Sequence, residues 1–196
     1  YQYWYEGELY KSGNYINNEK DGEWMTKFIN QGMKYENFKN GKLNGLSKGW
    51  YENGNQKYER NYDNDTKNGL YKEWFENGDL KFDGSYVEGE MDGVCKSWNS
   101  YGLIYERMYD KGEIISSLEL SYYENGQKKD EENYLNNKLH GVIKGWHENG
   151  VQSFEYNYKN GIKNGSAKEW FEYDWFEGGD LKFDALYVEG EMDGIC

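Results

Sequence analysis

Ring-bearing and polar side chains alternate over short runs along most of this chain, and each run ends in a glycine-bearing turn. Alternation with period two predicts half-buried β-strands, and helical periodicity is almost absent. In KGWYENGNQKYERNY, from Lys48 to Tyr62, two such runs flank Asn53-Gly54, a dipeptide that favours a two-residue type I′ hairpin turn. That turn predicts a register with Glu52 opposite Asn55, Tyr51 opposite Gln56, Trp50 opposite Lys57, Gly49 opposite Tyr58 and Lys48 opposite Glu59. One face of the hairpin then carries Lys48, Trp50, Lys57 and Glu59, and the other Gly49, Tyr51, Gln56, Tyr58 and Tyr62. Lys48–Glu59 places opposite charges directly across the strands, echoed by Lys72–Asp83 and Lys144–Glu155. Gly49 opposite Tyr58, like Gly145 opposite Phe154, predicts an aromatic ring laid over a strand glycine.

The hairpin recurs. Gly22, Gly45, Gly69 and Gly93 open successive units at spacings of 23, 24 and 24 residues, and Gly141 and Gly165 continue the series. Ser117 stands at the missing marker, residues 1–21 form a partial unit, and a stub starts at Gly194. Residues 45–95 resemble 141–196, where WFEYDWFEGGD (Trp170 to Asp180) holds a duplicated WFE that predicts a bulge or looped tip. Between hairpins a recurring ring (Phe38, Tyr62, Tyr86, Tyr109, Tyr134, Tyr158, Tyr187) precedes another turn, so the units join into one meander. Rings at equivalent places fall about 10 Å apart, two strand spacings. IISSLEL, Ile114 to Leu120, is the least regular stretch. The prediction is an all-β protein, an elongated single-layer antiparallel sheet of tandem hairpins of about 24 residues, filling residues 1–196 as one repeat array.

Composition changes the picture in one respect. Only 36% of the 196 residues are hydrophobic and mean hydropathy is -1.17, yet 19% are aromatic, with 21 Tyr and 8 Trp. Such rings bury large areas while keeping polar ends, so they hold together a thin fold without a thick core. The net charge of -13 argues against nucleic acid and anionic membranes as partners and favours a basic one. No run is long and apolar enough to span a membrane. The chain opens on Tyr1 rather than Met, as a trimmed signal, a processed pro-segment or a boundary cut within a longer chain would each leave it, so the start does not identify a compartment. Cys95 and Cys196 end equivalent motifs four hairpins apart, about 38 Å by strand spacing, which argues against a bridge between them.

The pattern GxxKxWYENGxxKxExxYKNGKxNG resembles the MORN-repeat variant of bacterial proteins, commonly grouped with the YwqK-type antitoxin family, from about Trp4 to Cys196. The resemblance implies a protein-interaction scaffold and, in some members, neutralisation of a toxin partner. Copies depart from the pattern at KFINQG (Lys27 to Gly32), NSYG (Asn99 to Gly102) and Gly178-Gly179, through partner recognition or drift.

Chemistry is scarce. DNDTKNG (Asp63 to Gly69) has Lys67 where a calcium loop needs its third ligand, so it reads as a turn. His140 and His147 make no metal pair, and His147 takes the place of the ring at Tyr51 and Phe75 as a surface substitution. No nucleophile elbow or phosphate loop occurs. The expectation is therefore a non-enzyme without catalytic, cofactor or metal sites. The candidate partner-binding residues are Trp50, Trp74, Trp98, Trp146 and Trp170, which share one register, with Tyr51 and Phe75 beside them. These rings are either the fold's own stacking ladder or a half-exposed binding stripe. Two functions compete: an antitoxin-like, cytoplasmic scaffold that binds a protein, such as a basic toxin, and a secreted or surface repeat protein for adhesion or carbohydrate contact. Open sheet edges also predict edge-to-edge self-association.

Overall fold

The computed structural model describes residues 1–29, 32–172 and 180–195. Every regular element among them is a β-strand, and the strands form one nineteen-stranded antiparallel sheet. In chain order the first nine are β1 (Gln2–Tyr5), β2 (Glu8–Ile16), β3 (Glu19–Phe28), β4 (Gly32–Lys39), β5 (Lys42–Trp50), β6 (Gln56–Asp63), β7 (Thr66–Trp74), β8 (Leu80–Val87) and β9 (Glu90–Met91). Then come β10 (Gly93–Asn99), β11 (Gly102–Asp110), β12 (Glu113–Tyr122), β13 (Lys128–Leu135), β14 (Lys138–Leu139), β15 (Gly141–Trp146), β16 (Gln152–Lys159), β17 (Ile162–Trp170), β18 (Leu181–Val188) and β19 (Glu191–Ile195). Two compact units result: residues 1–95 with 110–112, and residues 96–109 with 113–196. The stretch expected to be least regular, IISSLEL, is an unbroken part of the ten-residue β12. The second WFE copy (residues 175–177), Gly178-Gly179 and Cys196 lie outside the described residues.

Turn chemistry inverts the expectation. Asn53 keeps a negative φ while Gly54 has φ +85°; the Gly54 N–H donates to Tyr51 O and the Tyr51 N–H to Asn55 O. The tip is thus a three-residue loop, a type I turn closed by a left-handed glycine, and not a two-residue type I′ turn. Tips at Phe75, Tyr123 and His147 carry the same pair of bonds. The type I′ turns lie at the joins between hairpins, where both central residues have positive φ, as in Asn40-Gly41, Asn64-Asp65, Glu88-Gly89 and Asn160-Gly161.

The register beyond the tip nevertheless holds. Lys48 pairs with Glu59 and Gly49 with Tyr58, but Trp50 pairs with Gln56 instead of Lys57, because Lys57 is bulged out. The third loop residue moves the pairing by one and the bulge moves it back. Gln56 therefore shares the Trp50 face, contrary to the expectation, and its amide donates to Glu59. The Lys–acid ladder is present at Lys48–Glu59 (3.0 Å), Lys72–Asp83 (3.0 Å) and Lys144–Glu155 (3.5 Å).

The opposite face holds the core. In the first unit it buries Trp24, Ser47, Tyr86 and Cys95, and in the second Ile143, Ala167 and Ala185. Rings lie over strand glycines as predicted, Tyr58 on Gly49 and Phe154 on Gly145. Trp24, fully buried, does the same over Gly13 and donates its indole N–H to Asn14 O. Cations fill the gaps between rings on this face. Arg60 stacks on Tyr58 and Tyr71 with its guanidinium 4.2 and 4.7 Å from their centres, and it pairs with Glu73. Lys67 reaches Tyr71 and Tyr86, and Lys163 reaches Tyr156 and Tyr187. A thin sheet dries one face by interleaving rings with cation stems.

Candidate functional site

The five register tryptophans lie on the other face of the sheet, each half-buried. Their indoles stand beside the Lys–acid ladder, and four of the five occupy the last strand position before a tip. Trp50 packs edge-on against Tyr35, with ring centres 5.5 Å apart, and Lys128 places its ammonium 5.0 Å from the centre of Trp146.

Tyr51 has a different task. Its hydroxyl donates to Trp74 O at 2.8 Å, reaching from one tip to the next. Tyr123 repeats the bond to Trp146 O, and His147 Nε2 approaches Trp170 O at 3.3 Å. His147 is thus a structural replacement for the tyrosine hydroxyl rather than a neutral surface change. A carbonyl only accepts, so the imidazole supplies the proton. Asn53, Asn125 and Asn149 add a parallel bond, each donating its amide to a carbonyl 23 residues on. Their Oδ1 atoms meanwhile accept the backbone N–H two residues ahead. The E-N-G motif is thus spent on closing each tip and tying it to its neighbour. Burial, with Glu76 and Glu73 nearby, raises the Tyr51 phenol above its ordinary range, consistent with a hydroxyl committed as donor. Phe75 occupies the same place without a hydroxyl, its ring 5.8 Å from the Lys81 ammonium.

Trp50 and Tyr51 meet at the mouth of a cleft of about 370 Å³ in the first unit. Cross-strand pairs Lys27–Met33 and Met33–Trp50 set its floor, so one row of residues runs over β3, β4 and β5. Tyr10, Phe28 and Ile29 complete the apolar lining, and Glu8, Lys27 and Glu52 the polar part. Phe28, Ile29 and Met33 are 41, 58 and 38% exposed, three neighbouring members of the set of large apolar side chains that this thin sheet leaves in solvent. Lys27 is held by Glu8 and lies over Tyr10; the hydrogen bond from Lys27 to Glu8 raises its ammonium above the usual lysine value.

Of the predicted residues, then, the structure brings Trp50 and Tyr51 into one cleft and places Trp74 and Phe75 at the next tip of the same unit. Trp98 belongs to the second unit with Trp146 and Trp170. Reasoning from the repeat marked KFINQG, which holds Phe28 and Ile29, as a departure through partner recognition or drift, but named neither these two nor Met33 among the candidates. The signal available was the KFINQG departure, which puts Lys27 where other units have Trp and removes the bulge, so that β3 and β4 pair in continuous register.

No family model matches the chain, and no curated protein does. Solved structures similar to part of it include the crystal structure of a mutant of S. aureus TarM in complex with Fondaparinux, alpha-GlcNAc-glycerol and UDP (15% identity, TM-score 0.30, 49% of this chain and 19% of that one). Another is a crystal structure of TarM (16% identity, TM-score 0.27, 47% and 20%). The chain spans about a fifth of the length of these proteins, and a likeness at this level carries no argument about activity.

Proposed function

We propose that the chain is a non-catalytic protein-binding scaffold of the antitoxin or immunity kind, which neutralises a basic partner by covering its active surface. One observation carries this reading: beside the half-exposed indoles of the first unit lies a cleft lined by Trp50 together with exposed Phe28, Ile29 and Met33. Aromatic residues and Met ringed by polar groups are the usual make-up of an interface centre. The charge of -13 supports a cationic partner by steering it on approach. The resemblance to the MORN-repeat variant and YwqK-type antitoxins belongs to the same proposal. Co-purification of the tagged full-length protein from its native host at low salt tests it. The expected result is retention of a basic protein that is released at high salt and whose toxicity falls on co-expression. Retention of no protein, or hits on a glycan array instead, would overturn it.

A further inference from the structure

The cleft compares with an equivalent place in the second unit. Met33 pairs with Lys27, next to the last residue of β3, and with Trp50 of the next hairpin. Lys128 pairs in the same way with Tyr122, the residue before its own tip, and extends over Trp146 of the next hairpin, 5.0 Å from the ring centre. At Trp146 the protein thus supplies its own cation to the indole; at Trp50 the same position holds the uncharged, exposed Met33. The cleft's own lysine, Lys27, is drawn away to Glu8 and Tyr10.

We infer that the Trp50 cleft receives a lysine or arginine side chain from a basic partner, the cation taking the place over the indole that Lys128 fills at Trp146. This rests on the scaffold reading and gives it a site. A long basic side chain is an apolar stem with a charged end, and the cleft is its complement. Tyr10, Ile29 and Met33 flank the stem, the Trp50 ring attracts the charge, and Glu52 at the rim adds a carboxylate. Phe28, paired with Gly32 on the other side of the strand, already has the Lys34 ammonium 5.8 Å from its ring. Charge balance agrees, since residues 1–95 carry 17 acidic against 12 basic side chains.

The position exchange is the test. The indole N–H signals of the ¹⁵N-labelled full chain are followed by NMR during titration with a hexa-arginine peptide, with hexa-glutamate as control, and Trp50→Phe assigns the Trp50 signal. The inference expects hexa-arginine to shift the Trp50 signal saturably and hexa-glutamate to leave it in place. Met33→Lys, which installs the protein's own cation at a half-exposed position, weakens that response about tenfold, the scale of one partly desolvated cation–π contact. Glu52→Gln weakens it less, and Lys128→Met creates a new response at Trp146. An unchanged Trp50 response in Met33→Lys, equal shifts with hexa-glutamate, or no shift at all would overturn the inference. So would a Trp50 response to cellohexaose larger than that to hexa-arginine, or one that tracks self-association of the chain on dilution. The two readings fail separately. A native partner that binds Met33→Lys as tightly as wild type removes the cleft assignment and leaves the scaffold; absence of any partner removes the scaffold, whatever hexa-arginine does.

Discussion

The glycine under each ring lends itself to a quantitative test at Gly49. Its φ lies outside the left-handed region, so alanine carries no backbone strain there and would gain a few tenths of a kcal/mol from a stiffer unfolded chain. The obstacle is the Tyr58 ring, because an added Cβ would lie 2.7 Å from its Cζ and 2.8 Å from its Cδ1. The ring must lift, and overpacking of that kind costs about 1–3 kcal/mol. Lifting also loosens the Arg60 guanidinium stacked 4.2 Å from the Tyr58 centre, worth about 0.5–1 kcal/mol more. Gly49→Ala should therefore destabilise by about 2–3 kcal/mol, read as a lower urea midpoint at constant slope. The decisive comparison is a double-mutant cycle with Tyr58→Ala. With the ring gone, Gly49→Ala should cost less than about 0.5 kcal/mol, a coupling that neighbours in contact show and distant sites do not. An equal cost of Gly49→Ala with and without Tyr58 would refute the ring-over-glycine account.

Tyr51→Phe removes the hydroxyl that spans two tips and should cost about 1 kcal/mol, with faster amide exchange at the tips around Asn53 and Asn77 than elsewhere in the unit. His147→Phe should loosen its tip comparably and His147→Tyr should not, by the same exchange measurement. In alkali, the Tyr134 phenol is pushed up to about 12, first by its hydrogen bond to Glu132 and then by burial, while Tyr71 and Tyr156 are raised chiefly by burial. A raised folded-state pKa gives stability that is complete below the unfolded value, about 10, and lost as pH climbs through the folded one, so urea midpoints should fall from about pH 10 upward and Tyr156→Phe should flatten the fall. On the acid side Glu59 is held below the usual carboxylate range by its hydrogen bond from Lys48, so its contribution is present above about pH 4 and lost as pH falls further. Because that pair is partly exposed, Glu59→Gln should cost no more than about 1 kcal/mol at neutral pH and remove that part of the acid dependence.

Sequence reasoning reached the strands, the period and the Lys48–Glu59 register, because alternation and spacing survive in the chain as written. It reached that register through the wrong turn. A third loop residue and the bulged Lys57 cancel in any count made from Lys48 to Glu59, so only backbone dihedrals separate the two solutions. The type I′ signal was legible at the joins, where Asn40-Gly41 and Asn160-Gly161 obey it, but the more conspicuous E-N-G drew the assignment to the tips. The clamp from Tyr51 to Trp74 joins residues 23 apart, and its hydroxyl is invisible to a pattern that treats Tyr, Phe and His as interchangeable rings. Trp24 was missed because it sits off the tryptophan register, although the glycine-covering rule, extended to Gly13, would have found it. The candidate site was half legible. Trp50 and Tyr51 were named, while the cleft depends on Phe28, Ile29 and Met33, which no repeat consensus contains.

The distribution of cations explains why a partner would be read on the tryptophan face. On the core face the rings are already served: Arg60 lies between Tyr58 and Tyr71, Lys67 between Tyr71 and Tyr86, and Lys20 between Trp24 and Phe38. Burial lowers the Lys20 and Lys67 ammonium groups below the usual lysine range, so these charges are held in place by packing at some electrostatic cost. A partner's basic side chain would have to displace them and regain only what they already supply. At Trp50 it meets a ring beside Met33 and rim carboxylates instead. The same net charge of -13 that steers any basic protein toward the whole surface would gain selectivity at Trp50, where Met33 holds the position from which Lys128 reaches over Trp146. A salt series on captured partner separates the two contributions. Association should slow steeply with ionic strength in wild type and in Met33→Lys alike, whereas dissociation should quicken only in Met33→Lys. Equal dissociation rates would leave steering as the whole of the recognition.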